Sequence, residues 1–224
     1  MGRVASPDLT SPSPGGNSPS PLRWAVFISG RGSNLQVLLD QCELAPVSLV
    51  ISSKLKVAGV GKARRAGVRV VGIGHKEPNW DLALQELRRN RVTHIFLLGF
   101  MRIFPAHMIE PYEGRIFNLH PSLLPEFKGA NGFAESFHAR RAMGATLHHV
   151  TVALDEGRTV AQKPLHLPRA LNEEPSATNA GPNSESAAAL RFQIAQTLLA
   201  TTEQRLVRDG ITRLTAIDRL RFHR

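Results

Sequence analysis

Three polar side chains and one glycine-rich turn carry the chemistry that this sequence can do. Asn118 and His120 sit in Asn118-Leu119-His120-Pro121-Ser122-Leu123-Leu124-Pro125, directly after the apolar run Arg115-Ile116-Phe117. That run reads as a buried strand, in which side chains alternate faces, so Asn118 and His120 point the same way. An amide donor and a titratable imidazole then face one cleft from a strand's C-terminal end. The prolines after them fix the direction of the loop, because each locks φ and removes a donor. Acyl or formyl transfer needs such a pair: a donor for a developing oxyanion and a group that shuttles protons near neutral pH. The plainer alternative is a hydrogen-bonded structural histidine at a strand end.

Asp155 lies on the turn Leu154-Asp155-Glu156-Gly157, after one strand and before its expected partner. A carboxylate beside His120 favours the charged imidazole and holds its orientation. Turns at the carboxyl ends of parallel strands converge on the place where ligands bind. An ordinary turn acid ahead of Gly157 is the competing reading. His148 and His149 alternate faces in their strand, so at most one points toward a given site. His138 and His166 have no ligand-like spacing, and no metal site is expected.

The third feature is Gly30-Arg31-Gly32-Ser33-Asn34, which joins the first expected strand to the first helix. Glycines let backbone approach a ligand, and N–H groups free at a helix start attract phosphate. Gly32, Ser33 and Asn34 are therefore the candidate phosphate contacts. Ser33 with Gln36 fits a capping box. Alternatively the glycines make a tight turn and Ser33 does no more than cap. No Gly-Lys-Ser/Thr follows, and Leu35 stands where a dinucleotide fingerprint has its third glycine, so a phosphomonoester suits the loop better than a nucleotide.

The elements that must position these residues are legible as alternation. Strand-like runs at 24–28, 47–51, 68–71, 93–98 and 116–118 alternate with helical spacing at 35–41, 57–66 and 80–90. Continuous apolar strands between helices imply a parallel sheet covered on both faces. Residues 145–152 and 159–167 read as two further strands joined by the Asp155 turn, 168–184 as a polar loop, and 187–208 as a long helix. Leu190, Ile194, Leu198 and Leu199 are its expected apolar stripe. The expected fold class is α/β: a Rossmann-like, open, mostly parallel twisted sheet with helices on both faces and an antiparallel C-terminal extension of the sheet.

Of the 224 residues, 1–21 are mainly Ser, Pro and Gly, and read as a disordered N-terminal extension; 22–224 form a single domain. No run approaches a membrane span, so no membrane partner is expected. The lone cysteine, Cys42, rules out an internal disulfide; it reads as a buried structural thiol and fits a cytoplasmic setting. The formal net charge is +10, yet the arginines are scattered and not interleaved with aromatics. A solvated basic surface that attracts anionic metabolites is preferred over a nucleic-acid partner, which stays a minority reading. The C-terminal cluster Arg205, Arg208, Arg213, Arg219, Arg221 and Arg224 is its densest part.

These motifs, in this order, resemble a known family. Ile28 to Gln36, Leu98 to Ile103, Asn118 to Pro125, Gly144-Ala145-Thr146, His149-Val150-Thr151, Leu154-Asp155 and Gln162 are similar to the formyltransferases that use 10-formyltetrahydrofolate. Within them, the match is to the glycinamide ribonucleotide formyltransferases of purine synthesis, over about Leu22 to Leu167. The resemblance implies a catalytic set of Asn118, His120 and Asp155, with the substrate's ribose phosphate on Gly32, Ser33 and Asn34. It implies a pterin pocket lined by Met101, Arg102, Ile103 and Phe104, partly through main-chain atoms, with Asn118 also touching the folate. The implied partners are small molecules, glycinamide ribonucleotide and 10-formyltetrahydrofolate as formyl-donating co-substrate, on a monomer or weak dimer. Formyltetrahydrofolate hydrolase is the runner-up, and a non-catalytic folate or phosphate sensor a more distant alternative.

Departures from the pattern cluster near the implied site. Glu156 and Phe127-Lys128-Gly129-Ala130-Asn131 lean toward the hydrolase. Val152 and Ala153 replace residues that are often acidic. By rough register Gln196 falls where the family has a Glu near the substrate amine. His75, Lys76 and Glu77 occupy a region that often carries an arginine.

Overall fold

The structure is a computed structural model that describes residues 22–169 and 184–222. The expected extension at 1–21, most of the expected polar loop and Arg224 lie outside the described residues. Seven strands form one sheet in the order β3-β2-β1-β4-β5-β6-β7. They are β1 (Trp24–Ile28), β2 (Val47–Ser52), β3 (Arg69–Gly72), β4 (His94–Leu97), β5 (Ile116–His120), β6 (Gly144–His149) and β7 (Thr159–Pro164). Strands β1 to β5 pair in parallel, and β6 and β7 join antiparallel. The expected fold class is the one found.

β1 is the centre of the sheet, and all five of its residues are fully buried because both faces are covered. Trp24, Val26 and Ile28 face α1 (Ser33–Leu39) and the long α6 (Ser184–Phe222), meeting Leu35, Leu38, Leu199, Leu206, Val207 and Ile211. Ala25 and Phe27 face the opposite layer, where α3 (Trp80–Arg89) contributes Ala83 and Leu87, and α4 (Ala106–Ile109) contributes Met108. The period-two split of β1 thus separates two apolar cores. α2 (Ala58–Arg65) packs on α1 and β3, and α5 (Gly132–His138) follows the loop after β5.

Several expectations are corrected. The last helix runs on to Phe222 and not to Arg208, passing through Gly210. A Cβ at Gly210 would lie 2.3 Å from Leu147 Cδ2, so the glycine is there to let the helix close on β6. The buried stripe of that helix is Ala195, Leu199, Leu206, Val207, Ile211 and Leu214, whereas Leu190 and Ile194 are exposed. Cys42 is exposed, in the turn after α1. The short helices α4 and α5 have too few residues for a periodic signal.

The parallel order reverses between β1 and β4, and a crevice opens at such a switch point outside the strands' carboxyl ends. The loop 29–34 after β1, the segment 98–104 after β4 and the end of β5 all emerge there. Ser29 joins the first two of these: its hydroxyl accepts from Met101 N–H at 3.1 Å and from Ser53 Oγ at 2.7 Å.

Candidate active site

Asn118 and His120 stand at the carboxyl end of β5, as alternation along the strand requires. Antiparallel pairing sets His148 of β6 directly opposite Asn118, and Thr146 opposite His120. The four polar groups then form one chain. Asn118 Nδ2 lies 3.2 Å from His148 Nε2, His148 Nε2 lies 3.6 Å from Asp155 Oδ1, and Asp155 Oδ2 lies 3.5 Å from His120 Nδ1. The structure thus brings the three predicted residues together, with His148 between them. His120 and His148 are 3% and 2% exposed, so these interactions act in a low dielectric, where they are strong.

The protonation pattern follows from the partners. His148 Nδ1–H donates to the His149 carbonyl at 2.9 Å, which leaves Nε2 as the ring's acceptor. Burial pushes the His148 pKa down, outweighing the bond to His149 and the attraction of Asp155. A neutral His148 accepts from the Asn118 amide, the nearer neighbour of Nε2, so the ion pair with Asp155 is not made. That bond orients Asn118: one amide N–H is used on His148 and the second stays available for an oxyanion. His120 Nε2–H donates to the Phe127 carbonyl at 2.9 Å. Its Nδ1 faces Asp155 Oδ2 at 3.5 Å, within ion-pair range but longer than a firm hydrogen bond.

Asp155 is held from the other side by Gly129 N–H, 2.9 Å from Oδ2. The loop carrying Gly129 is fixed by short bonds: Ser122 Oγ donates to the Glu126 carbonyl at 2.7 Å, and Thr146 Oγ1 to the Ser122 carbonyl at 2.7 Å. Gln162 of β7 reaches the Leu124 carbonyl at 2.6 Å. Gly132 closes the floor, since a Cβ there would lie 2.5 Å from Phe127 O and 2.9 Å from His120 Nε2. A cavity of about 320 Å³ opens beside Asp155, lined also by Pro125, Lys128, Glu156 and Thr159.

Gly32 adopts a left-handed φ of 65°, and its carbonyl accepts the first helical bond, from Gln36 N–H. Gly32 is therefore the N-cap and Ser33 already the first helical residue. The expected capping box is not formed: the helix start lacks a side-chain cap, and Gln36 bonds forward to Asp40 at 2.9 Å. A Cβ on Gly32 would meet Gly59 Cα at 2.7 Å, so both glycines are needed where α2 crosses the loop. Lys62 of α2 also donates to the Gly32 carbonyl, at 3.2 Å. Asn34 Nδ2 donates to Glu203 of α6 at 3.0 Å, and burial pushes the Glu203 carboxyl pKa up.

Glu203 is the acid beside the candidate phosphate loop. Gln196, which rough register puts near the substrate amine, is exposed two turns earlier on the helix. No periodic signal separates the two positions, because both lie on one continuous helix whose docking is set by the sheet. Along the other wall, Met101 and Ile103 are 55% and 74% exposed, but Phe104 is a core residue, its ring 4.8 Å from that of Phe27. Arg102 Nη2 is 2.7 Å from the His75 ring, so a cation does reach the region where the usual arginine is missing. Lys128 and Glu156, two departures from the family pattern, are bonded to each other at 2.9 Å.

His148 and Glu203 are the residues that sequence reasoning missed. For His148 a signal existed: if β5 and β6 are antiparallel neighbours, one of His148 and His149 must share the face of Asn118. Register decides which, and register is a tertiary fact.

Comparison with known proteins bears on the family and the fold. The profile of the formyl transferase family matches residues 22–187. The human trifunctional purine biosynthetic protein adenosine-3 is 37% identical over 160 residues, 66% of this chain but only 16% of that protein. Haemophilus influenzae phosphoribosylglycinamide formyltransferase is 32% identical over 148 residues, 62% of this chain and 70% of the relative. Among solved structures, phosphoribosylglycinamide formyltransferase from Anaplasma phagocytophilum superposes with a TM-score of 0.75 at 28% identity, covering 88% of each chain. That from Streptococcus pneumoniae gives 0.70 at 28% identity, covering 86% of this chain and 98% of the other. With the family profile spanning most of its length and running through every residue of the His120 site, this chain belongs to the formyl transferase family.

Proposed function

We propose that this chain moves the formyl group of 10-formyltetrahydrofolate to the amine of glycinamide ribonucleotide, a step of purine synthesis. The observation that carries the reading is the buried cluster of Asn118, His120, His148 and Asp155 at the carboxyl end of β5. The substrate amine attacks the formyl carbon, and the carbonyl pair moves onto oxygen. Asn118 Nδ2 donates its remaining N–H to that oxyanion, and the His120 charge, balanced by Asp155, stabilises it. Collapse breaks the bond from carbon to the folate nitrogen, which leaves with a proton delivered from His120, and the proton lost by the attacking amine restores His120.

The subsites follow from placement. Main-chain N–H groups of Gly32, Ser33 and Asn34 hold the phosphate, with Glu203 close by for the substrate. Main-chain atoms of Met101 to Phe104 meet the pterin, covered by the exposed apolar side chains of Met101, Ile103, Val152 and Leu154. No metal enters the reaction. A cytoplasmic setting and a monomer or weak dimer complete the reading; in support, no helix among the described residues is long and apolar enough to cross a membrane.

The test is incubation with 10-formyltetrahydrofolate in the presence and absence of glycinamide ribonucleotide. Tetrahydrofolate should form only with the amine present. Release of formate without the amine would make water the acceptor and replace this reading with hydrolysis.

A further inference from the structure

The bond between Lys128 and Glu156 joins the two loops that hold the catalytic pair. Three consecutive residues divide the task on one side. The Phe127 carbonyl accepts from His120 Nε2–H, Gly129 N–H donates to Asp155 Oδ2, and Lys128 between them reaches Glu156, the residue after Asp155. The hydrogen bonds and the ion pair are all 2.9 Å long. Phe127 and Asp155 both have φ of 53°, a left-handed conformation that side-chain-bearing residues rarely adopt, so each loop is bent where it touches the site. Such backbone persists only where surrounding contacts over-determine it.

The geometry points to Lys128 and Glu156 as positioning residues, an ionic latch that keeps the loop at 127–129 in register with the turn at 155–157. The latch sets the spacing of His120 and Asp155 through the two loops. It sits at the surface, with side chains 39% and 55% exposed, so its strength depends on salt and its effect is moderate.

This inference rests on formyl transfer as the turnover being measured, but it has a readout of its own. Lys128→Met, Glu156→Gln, the double variant and the swap Lys128→Glu/Glu156→Lys are assayed with both substrates on the full chain. Each single variant should lose about two- to fivefold in kcat, the span of an exposed ion pair, with KM for both substrates held within about twofold. The double variant should be no worse than either single, and the swap should recover most of the loss. Deuterium exchange at the Gly129 amide should quicken in both singles and return toward wild type in the swap. Additive losses, a change in KM alone, or unchanged kcat and Gly129 exchange would overturn the latch. A wild-type protein that cannot formylate the amine would overturn the proposed reaction instead, and Gly129 exchange would still judge the latch.

Discussion

Asp155→Asn isolates the charge of the buried pair. Asparagine is among the side chains that tolerate the left-handed backbone best, so the φ of 53° at this turn survives the change. Its side-chain oxygen can still accept from Gly129 N–H, and its volume is nearly that of aspartate. What disappears is a full negative charge 3.5 Å from His120 Nδ1. With an effective dielectric of about 20, Coulomb's law sets an upper bound of about 5 kcal/mol on its attraction for a positive charge there. Relaxation and entering water recover part of it, so the expected loss in kcat is roughly a hundredfold, comparable to removing one oxyanion donor. Since Asp155 touches neither phosphate loop nor pterin segment, KM for both substrates should change by less than about threefold. Steady-state kinetics at fixed pH and ionic strength, with the fold checked by circular dichroism, makes the measurement. A fall in kcat of less than about tenfold, or one matched by a rise in KM, would refute the charge argument.

Three further outcomes follow from the same geometry. His148→Phe removes the acceptor that orients Asn118, and kcat should fall by about tenfold or more, the cost of leaving one buried donor unpaired; an unchanged kcat would show that Asn118 is held by other means. Because burial lowers the His148 pKa, its contribution to stability is full above the unfolded value of about 6.5 and is lost as pH falls through the folded value, so this acid-side limb should be weaker in the variant's melting curves. Glu203 has the opposite sign: its raised pKa gives stability that is full below about 4.3 and lost as pH rises, so Glu203→Gln should gain melting temperature over wild type between pH 4 and 7, and a constant difference would contradict burial as the cause. Gly132→Ala places a methyl group against Phe127 O and His120 Nε2, and kcat should drop at least about tenfold while the protein stays folded; retained activity would mean the loop has room to yield.

The parts of this protein that are local were legible early. β1 to β5 and the first three helices follow from apolar runs and 3.6-residue spacing, because those patterns arise within one segment. The face shared by Asn118 and His120 follows in the same way from alternation. The capping box at Ser33 was misread because the left-handed turn at Gly32 starts the helix one residue earlier, and the pattern alone does not set φ. The last helix runs on past Arg208 through Gly210, whose missing Cβ leaves room for Leu147 on a distant strand. The expectation of a buried thiol at Cys42 fails because the chain has already turned out to solvent beyond α1.

The sequence by itself determined which residue types are available and which of them share a strand or a loop. It placed the amide, the imidazole, the carboxylate and the glycine turn, and those suffice to name the class of chemistry. Only the tertiary structure decided the company they keep. It set His148 rather than His149 beside Asn118, Glu203 beside Asn34, and Lys128 against Glu156. The physical reason is that strand register and helix docking are fixed by burying the whole sheet at once. A one-residue slip in register, invisible in any local window, exchanges every side chain between the core and the site.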